Sequence, residues 1–201
     1  AYSTLGWFND PLISTFIHYP DAELARLIFH ELSHQVVYVP GDSQFNESFA
    51  SAVEEAGVER WLNDFGNDTM RQNYARFAAR KKDFLKLLLE YRHALEVNYS
   101  SKAPAAARRE TKVRLFVQLK EDYLVLKESW GGFAGYDRFF AEPLSNAHLA
   151  SIATYTDFVP AFRALLAREK TFTGFYASAR KLAALEKAER HRRLKAFAPR
   201  V

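Results

Sequence analysis

The 201-residue chain contains no cysteine. Disulfides, thiolate metal sites and a cysteine nucleophile are therefore excluded. The compartment stays open, because many envelope proteins also lack cysteine. No apolar run approaches the roughly 18 residues that a membrane-spanning helix needs, so nothing in the sequence reads as such a span. Internal repeats and low-complexity linkers are absent as well. The chain begins at Ala1, with neither an initiating methionine nor a signal-like segment, and reads as the inner part of a longer protein.

What is present is ordinary globular composition, with 48% hydrophobic and 26% charged residues. That supports one good-sized domain with a core of its own, or two very small ones. The 17 Phe, 10 Tyr and 3 Trp residues predict a ring-rich core and argue against disorder. The net charge of +4 is concentrated late, in "ARKLAALEKAERHRRLKAFAPRV". This stretch reads as a solvated helix face. An anionic-lipid or nucleic-acid patch would be the sharper reading, but basic and aromatic residues do not interleave there, and no nucleic-acid partner is expected.

Periodicity predicts a mainly α fold. The first twenty residues, with Gly6, Asn9-Asp10-Pro11 and Pro20, read as loop and short extended segments, and the fold becomes α+β if they form a small sheet. Asp21 is the expected N-cap of a first helix, "AELARLIFHELSHQVV", and Ser43 of a second, "QFNESFASAVEEAGVERWLNDF", which stops near Gly66. Met70, Tyr74, Phe77, Phe84, Leu88, Tyr91 and Leu95 mark a long helix over about 68–97. Val113, Phe116, Leu119, Tyr123 and Leu126 mark another over about 105–128, and the two are expected to form an antiparallel hairpin. A Gly-rich loop, "SWGGFAGYDRFFAEP", leads to a helical last third broken near Pro160 and at 170–173.

One stretch carries chemistry. In "FHELSH", His30 and His34 are four apart on the first helix, so both imidazoles point the same way. That spacing suits two ligands of one tetrahedral zinc ion. Glu31, about 100° further round the helix, can reach a water on that ion and act as a general base. The flanking Leu24, Leu27, Ile28, Phe29 and Leu32 are apolar, and unpaired His and Glu would be costly to bury among them. A catalytic zinc site usually has three protein ligands. On the next helix Glu47 and Glu54 both lie on the facing side, with Ser51 between them, and either carboxylate could complete the set.

At these residues the chain resembles the gluzincin metallopeptidases. "HELSHQ" followed by "NESFASAVE" is similar to the paired signature of M1-type aminopeptidases, whose Asn-Glu-x-Phe-Ala block supplies the third ligand. The resemblance implies His30, His34 and Glu47 as zinc ligands, Glu31 as the base, and Glu54 with Ser51 as supporting residues behind the ligands. Nearly the whole chain, from "AYSTLGWFNDPL" through "GDSQFNESFAS", is similar to a bacterial family called putative aminopeptidases, formerly a domain of unknown function. That likeness implies a Zn²⁺-dependent peptidase with a zincin-like core and a C-terminal helical bundle. It also implies a peptide substrate, a place in the bacterial envelope or periplasm, and membrane attachment only through an N-terminal lipid anchor outside this chain.

Two departures narrow the inference. Only 12 residues separate His34 from Glu47, a shorter gap than in M1-type or thermolysin-like enzymes, while the 19 residues before Glu54 equal the thermolysin-like gap. The Gly-x-Met-Glu-Asn block that grips a substrate's amino terminus is missing, so metallopeptidase follows from the residues and aminopeptidase only from the family. Tyr155, Tyr136 and His148 are candidate donors to the oxyanion. Residues 1–66 are expected to form the zinc-binding core, with 67–201 a helical region packed on it in one continuous domain. A catalytically silent, metal-holding module that binds peptides or envelope partners is the alternative. A purely structural helical protein with no metal is a third reading.

Overall fold

The computed structural model describes residues 18–198, except the side chains of residues 153–155. Among these residues there are eight α-helices, one 3-10 turn and no strand. The chain is therefore mainly α, and the possible N-terminal sheet falls outside the described residues. The helices are α1 (Asp21–Val36), α2 (Ser43–Phe65), α3 (Asp68–Ser100), α4 (Ala105–Ser129), α5 (Asn146–Thr156), α6 (Val159–Glu169), α7 (Phe172–Ala183) and α8 (Lys187–Lys195), with the 3-10 turn at Asp137–Phe140. Among the described residues no helix is long and apolar enough to cross a membrane.

The chain divides into two compact units. One joins the residues up to Tyr74 with those from Ala153 onward, and the other is Ala75–Ile152. The last three helices cluster with α1 and α2 in the first of these units.

In the first unit α2 is covered on two sides. Phe45, Phe49, Ala52 and Val53 pack with Phe158, Phe162 and Leu165 of the α6 region, Phe175 and Leu182 of α7 and Leu194 of α8. The rings interlock: Phe49 stacks on Phe175 at 5.5 Å and meets Phe162 edge-on at 5.5 Å. Such offset and T-shaped pairs add stabilisation beyond the area they bury. The other side of α2 receives α1, where Ala22 packs with Val58 and Leu62, and Phe29 joins them from the rim. Gly57 makes this close approach possible, since a Cβ there would stand 2.9 Å from the Phe29 ring. A helix covered on two faces has no solvent stripe, which is why α2 reads as weakly amphipathic despite being the most buried helix.

The second unit centres on Phe84, Leu88 and Leu95 of α3 with Leu119 and Tyr123 of α4. The Tyr91 hydroxyl donates to Asp122 at 2.5 Å, and the Asn98 amide donates to the Arg108 carbonyl at 2.9 Å. Later residues of α3 thus meet earlier ones of α4, the antiparallel arrangement read from the sequence.

Several boundaries differ from expectation. Pro20, extended at φ −50° and ψ 140°, caps α1, and Asp21 opens the helix instead, adding charge to its positive end. Asp42 rather than Ser43 caps α2, its carboxylate accepting from the Phe45 amide. Helix α3 continues to Ser100, past the expected end near residue 97. Pro160 sits in the first turn of α6, where its missing N–H costs nothing, so the break precedes it. Lys170 ends α6 in the left-handed region at φ 61°, and Thr171 caps α7 by accepting from the Gly174 amide.

Candidate metal centre

Helices α1 and α2 run antiparallel along a seam of polar side chains. His34 faces Glu47, His30 faces both Glu47 and Glu54, and Arg26 faces Glu54. Each step of four back along α1 thus meets a carboxylate further along α2. The connector between the helices is held by Asn46, whose side-chain amide accepts from the Val39 amide at 2.9 Å and donates to the Val39 carbonyl at 2.8 Å. Gly41, at φ 78°, supplies the left-handed turn before Asp42. The reversal is short because these two devices replace a longer loop.

The nitrogens Nε2 of His30 and His34 converge on the Glu47 carboxylate. His30 Nε2 lies 3.2 Å from Oε2, and His34 Nε2 lies 3.8 Å from Oε1. The two rings are T-shaped, with centroids 5.1 Å apart. One ligand atom from each of the three residues falls within 4.8 Å of the others, and among the described residues this is the group of histidines and acids with such convergence. Two ligands at about 2.0–2.1 Å from a tetrahedral ion stand roughly 3.3 Å apart. The observed spacing therefore needs only a small contraction to close on one ion.

The donor set and its surroundings fit zinc. With His30 deprotonated at Nε2, two imidazoles and a carboxylate would make a known catalytic combination with room for a fourth ligand. His30 Nδ1 lies 2.9 Å from Glu54 Oε2, and a histidine that donates this proton to a carboxylate presents the lone pair of Nε2 to a metal. His34 is 8% exposed, its Nδ1 is buried without a hydrogen-bond partner, and its Nε2 is beyond hydrogen-bond reach of Glu47. An imidazole left in this condition is costly to bury, and coordination would give it a partner.

Glu31 lies one position from His30 on α1, half-buried, and its charge acts on the His34 ring. Ser51 is buried on α2 between Glu47 and Glu54. Tyr136 belongs to the Ala75–Ile152 unit and stacks on Phe84 with centroids 3.9 Å apart. His148 belongs there too, its Nδ1 accepting from the Ser145 amide at 3.0 Å. The Tyr155 side chain lies outside the described residues. The sequence reading overlooked Arg26, although its spacing of four from His30 continues the stripe of ligands.

Burial alone would lower the His30 pKa, but hydrogen bonds to Glu47 and Glu54 outweigh it and raise it to about 9. Burial dominates at His34, whose pKa is lowered, with the Glu47 charge opposing and the His30 charge reinforcing. Of the two histidines, His30 is the one that holds a proton near neutral pH. Its folded pKa lies above the unfolded 6.5, so its contribution to stability is complete below pH 6.5 and lost as pH rises through about 9. Zinc must displace that proton. At pH 7 zinc uptake is expected to release close to one proton per ion, with affinity rising as pH increases towards 9. Calorimetry in buffers of different ionisation enthalpy checks this, and uptake without proton release would contradict the arrangement.

Comparison with known proteins adds one finding. No curated protein and no solved structure matches the chain. The family model described as "Putative aminopeptidase" matches residues 1–194. With all but its last few residues covered by that match, the chain belongs to the putative aminopeptidase family, whose name denotes a peptidase.

Proposed function

We propose that the protein is a zinc-dependent peptidase in which His30, His34 and Glu47 hold the ion and Glu31 is the general base. The observation that carries this reading is the convergence of three ligand atoms within 4.8 Å on the α1–α2 seam, beside an unshared glutamate one residue from the first histidine. Family membership supports the peptidase half of it. A bound zinc ion would supply Lewis acidity, polarising a peptide carbonyl and making water a better nucleophile near neutral pH. Glu31 takes the proton of the attacking water and can deliver it to the departing amine nitrogen, the two roles expected of a single positioned carboxylate. Glu54 keeps the His30 ring in register by accepting from Nδ1, and Asn46 fixes the connector so that Glu47 enters the seam at the right height. The substrate in this reading is a peptide.

Metal analysis is the primary test. The purified chain is expected to hold one zinc ion, and Glu47→Ala is expected to abolish retention through dialysis. Glu54→Ala should weaken binding about 10–100-fold, the typical cost of removing a residue that orients a metal-bound histidine. Zero zinc after reconstitution of the unaltered protein would refute the assignment. Loss of all binding in Glu54→Ala with retention in Glu47→Ala would show that Glu54 is the ligand. Stoichiometric zinc with no cleavage of any peptide in a degenerate library would favour a binding module.

A further inference from the structure

We infer that Arg26 is a positioning residue for the metal centre: it fixes the Glu54 carboxylate so that one oxygen is held against His30 Nδ1. The inference rests on the zinc-site reading above and extends it by one layer. Glu54 is 2% exposed and is the most deeply buried acid on the seam. One terminal nitrogen of Arg26 lies 3.1 Å from Oε1 and 3.0 Å from Oε2, bridging both oxygens. Oε2 is also the atom 2.9 Å from His30 Nδ1. The carboxylate is thus pinned at both oxygens by the guanidinium, with one lone pair left directed at the imidazole.

The sequence spacing makes this arrangement specific. Arg26, His30 and His34 occupy every fourth position of α1, and Glu47 and Glu54 lie two turns apart on α2. Cation and anion alternate along the seam from Arg26 at one end to Glu47 at the other. Without the guanidinium, this buried carboxylate loses the cation that bridges both of its oxygens. It would be drawn towards solvent or other donors, and the His30 ring would lose its fixed orientation. Arg26 supplies the positive charge that makes the buried position tolerable. Because a single nitrogen makes both contacts, a lysine ammonium at the same place can serve both oxygens, whereas a neutral side chain cannot.

Zinc affinity, measured by competition with a chromophoric chelator, tests the inference through a double-mutant cycle. Arg26→Ala is expected to weaken zinc binding about 10–100-fold, in the range for residues behind a metal ligand. Arg26→Lys should stay within about threefold of the unaltered protein. In a Glu54→Ala background, Arg26→Ala should add less than about threefold, because the residue through which it acts is gone. Should Arg26→Ala fail to fold, Arg26→Gln carries the same comparison. Three results would overturn the inference: unchanged affinity in Arg26→Ala, the same loss in Arg26→Lys as in Arg26→Ala, or an effect as large without Glu54 as with it. If the unaltered protein takes up no zinc, the metal assignment itself falls; if it does and the Arg26 variants match it, only this inference falls.

Discussion

Under the proposed function, Glu31→Gln is expected to retain zinc and to lose peptide hydrolysis. The amide matches the carboxylate in size, and Glu31 is neither a ligand in the converging set nor a member of the ion-pair ladder formed by Arg26, His30, Glu47 and Glu54. Fold and metal content should therefore be unchanged, which circular dichroism and metal analysis would show. The amide cannot take a proton from water at neutral pH. Proton transfer by a positioned side chain is worth roughly 10²–10⁴-fold, and the loss should fall on kcat while KM stays near its original value. The assay is a peptide cleaved by the unaltered protein. Unchanged kcat at full zinc occupancy would assign the base to another residue.

Asp42→Ala is expected to cost the fold about 3–5 kcal/mol, the usual range when one partner of a buried ion pair is removed. Asp42 is 1% exposed and joins the two ends of its unit. It caps α2, accepts from Arg190 Nε at 2.9 Å, and lies 2.8 Å from His191 Nε2. Arg190 is itself 4% exposed, and its other contacts are to the Ala183 and Leu185 carbonyls. Removing Asp42 leaves a buried guanidinium with no counter-charge and an α2 terminus with no cap. At about 2–4 °C per kcal/mol for a chain of this size, the melting temperature should fall by roughly 6–20 °C. Glu189→Ala is the contrasting control. Glu189 also binds two arginines, but those pairs are solvent-exposed on α8, and no measurable change is expected.

The pH dependence separates the charge from the cap. Burial would raise the Asp42 pKa, but hydrogen bonds from His191 and Arg190 prevail and lower it below 3.8. Its contribution is therefore present above about pH 3.8 and lost as pH falls through the lower folded value. Asp42→Asn, which keeps a capping oxygen but no charge, should flatten that acid limb of the stability curve. An unaltered acid limb would mean that another carboxylate sets it.

The helices were legible because most of them keep one apolar stripe, as in α3 and α4, and because capping and left-handed residues punctuate the last third at Lys170 and Thr171. The cap of α2 was misread for a local reason and a distant one. Asp42 and Ser43 are adjacent and both are good caps, and what selects Asp42 is Arg190, 148 residues away. The two compact units were invisible because their division falls inside α3 and α5, where no linker composition marks it. At the candidate site, the shared face of His30 and His34 followed from helical spacing alone. The choice between Glu47 and Glu54 did not, because both lie on the facing side of α2. It turns on the register of the seam, which sets Glu47 against Nε2 and Glu54 against Nδ1 of the same ring. Arg26 went unread for the same reason, since its partner lies across that seam.

The union of the chain's two ends has a consequence for synthesis. Helices α1 and α2 are made one directly after the other, well ahead of α6, α7 and α8. Yet Phe45 and Phe49 acquire their cover only from Phe162, Phe175 and Leu194, and Asp42 acquires Arg190 only at the end. At about 5–20 residues per second, the roughly 150 intervening residues take roughly 7–30 s to translate. Throughout that interval the aromatic face of α2 is open to chaperones, and the helix that carries Glu47 lacks the packing that covers it in the folded unit. The α1–α2 seam is therefore locked in place late, after α8 has docked, although its own residues are made well before that helix.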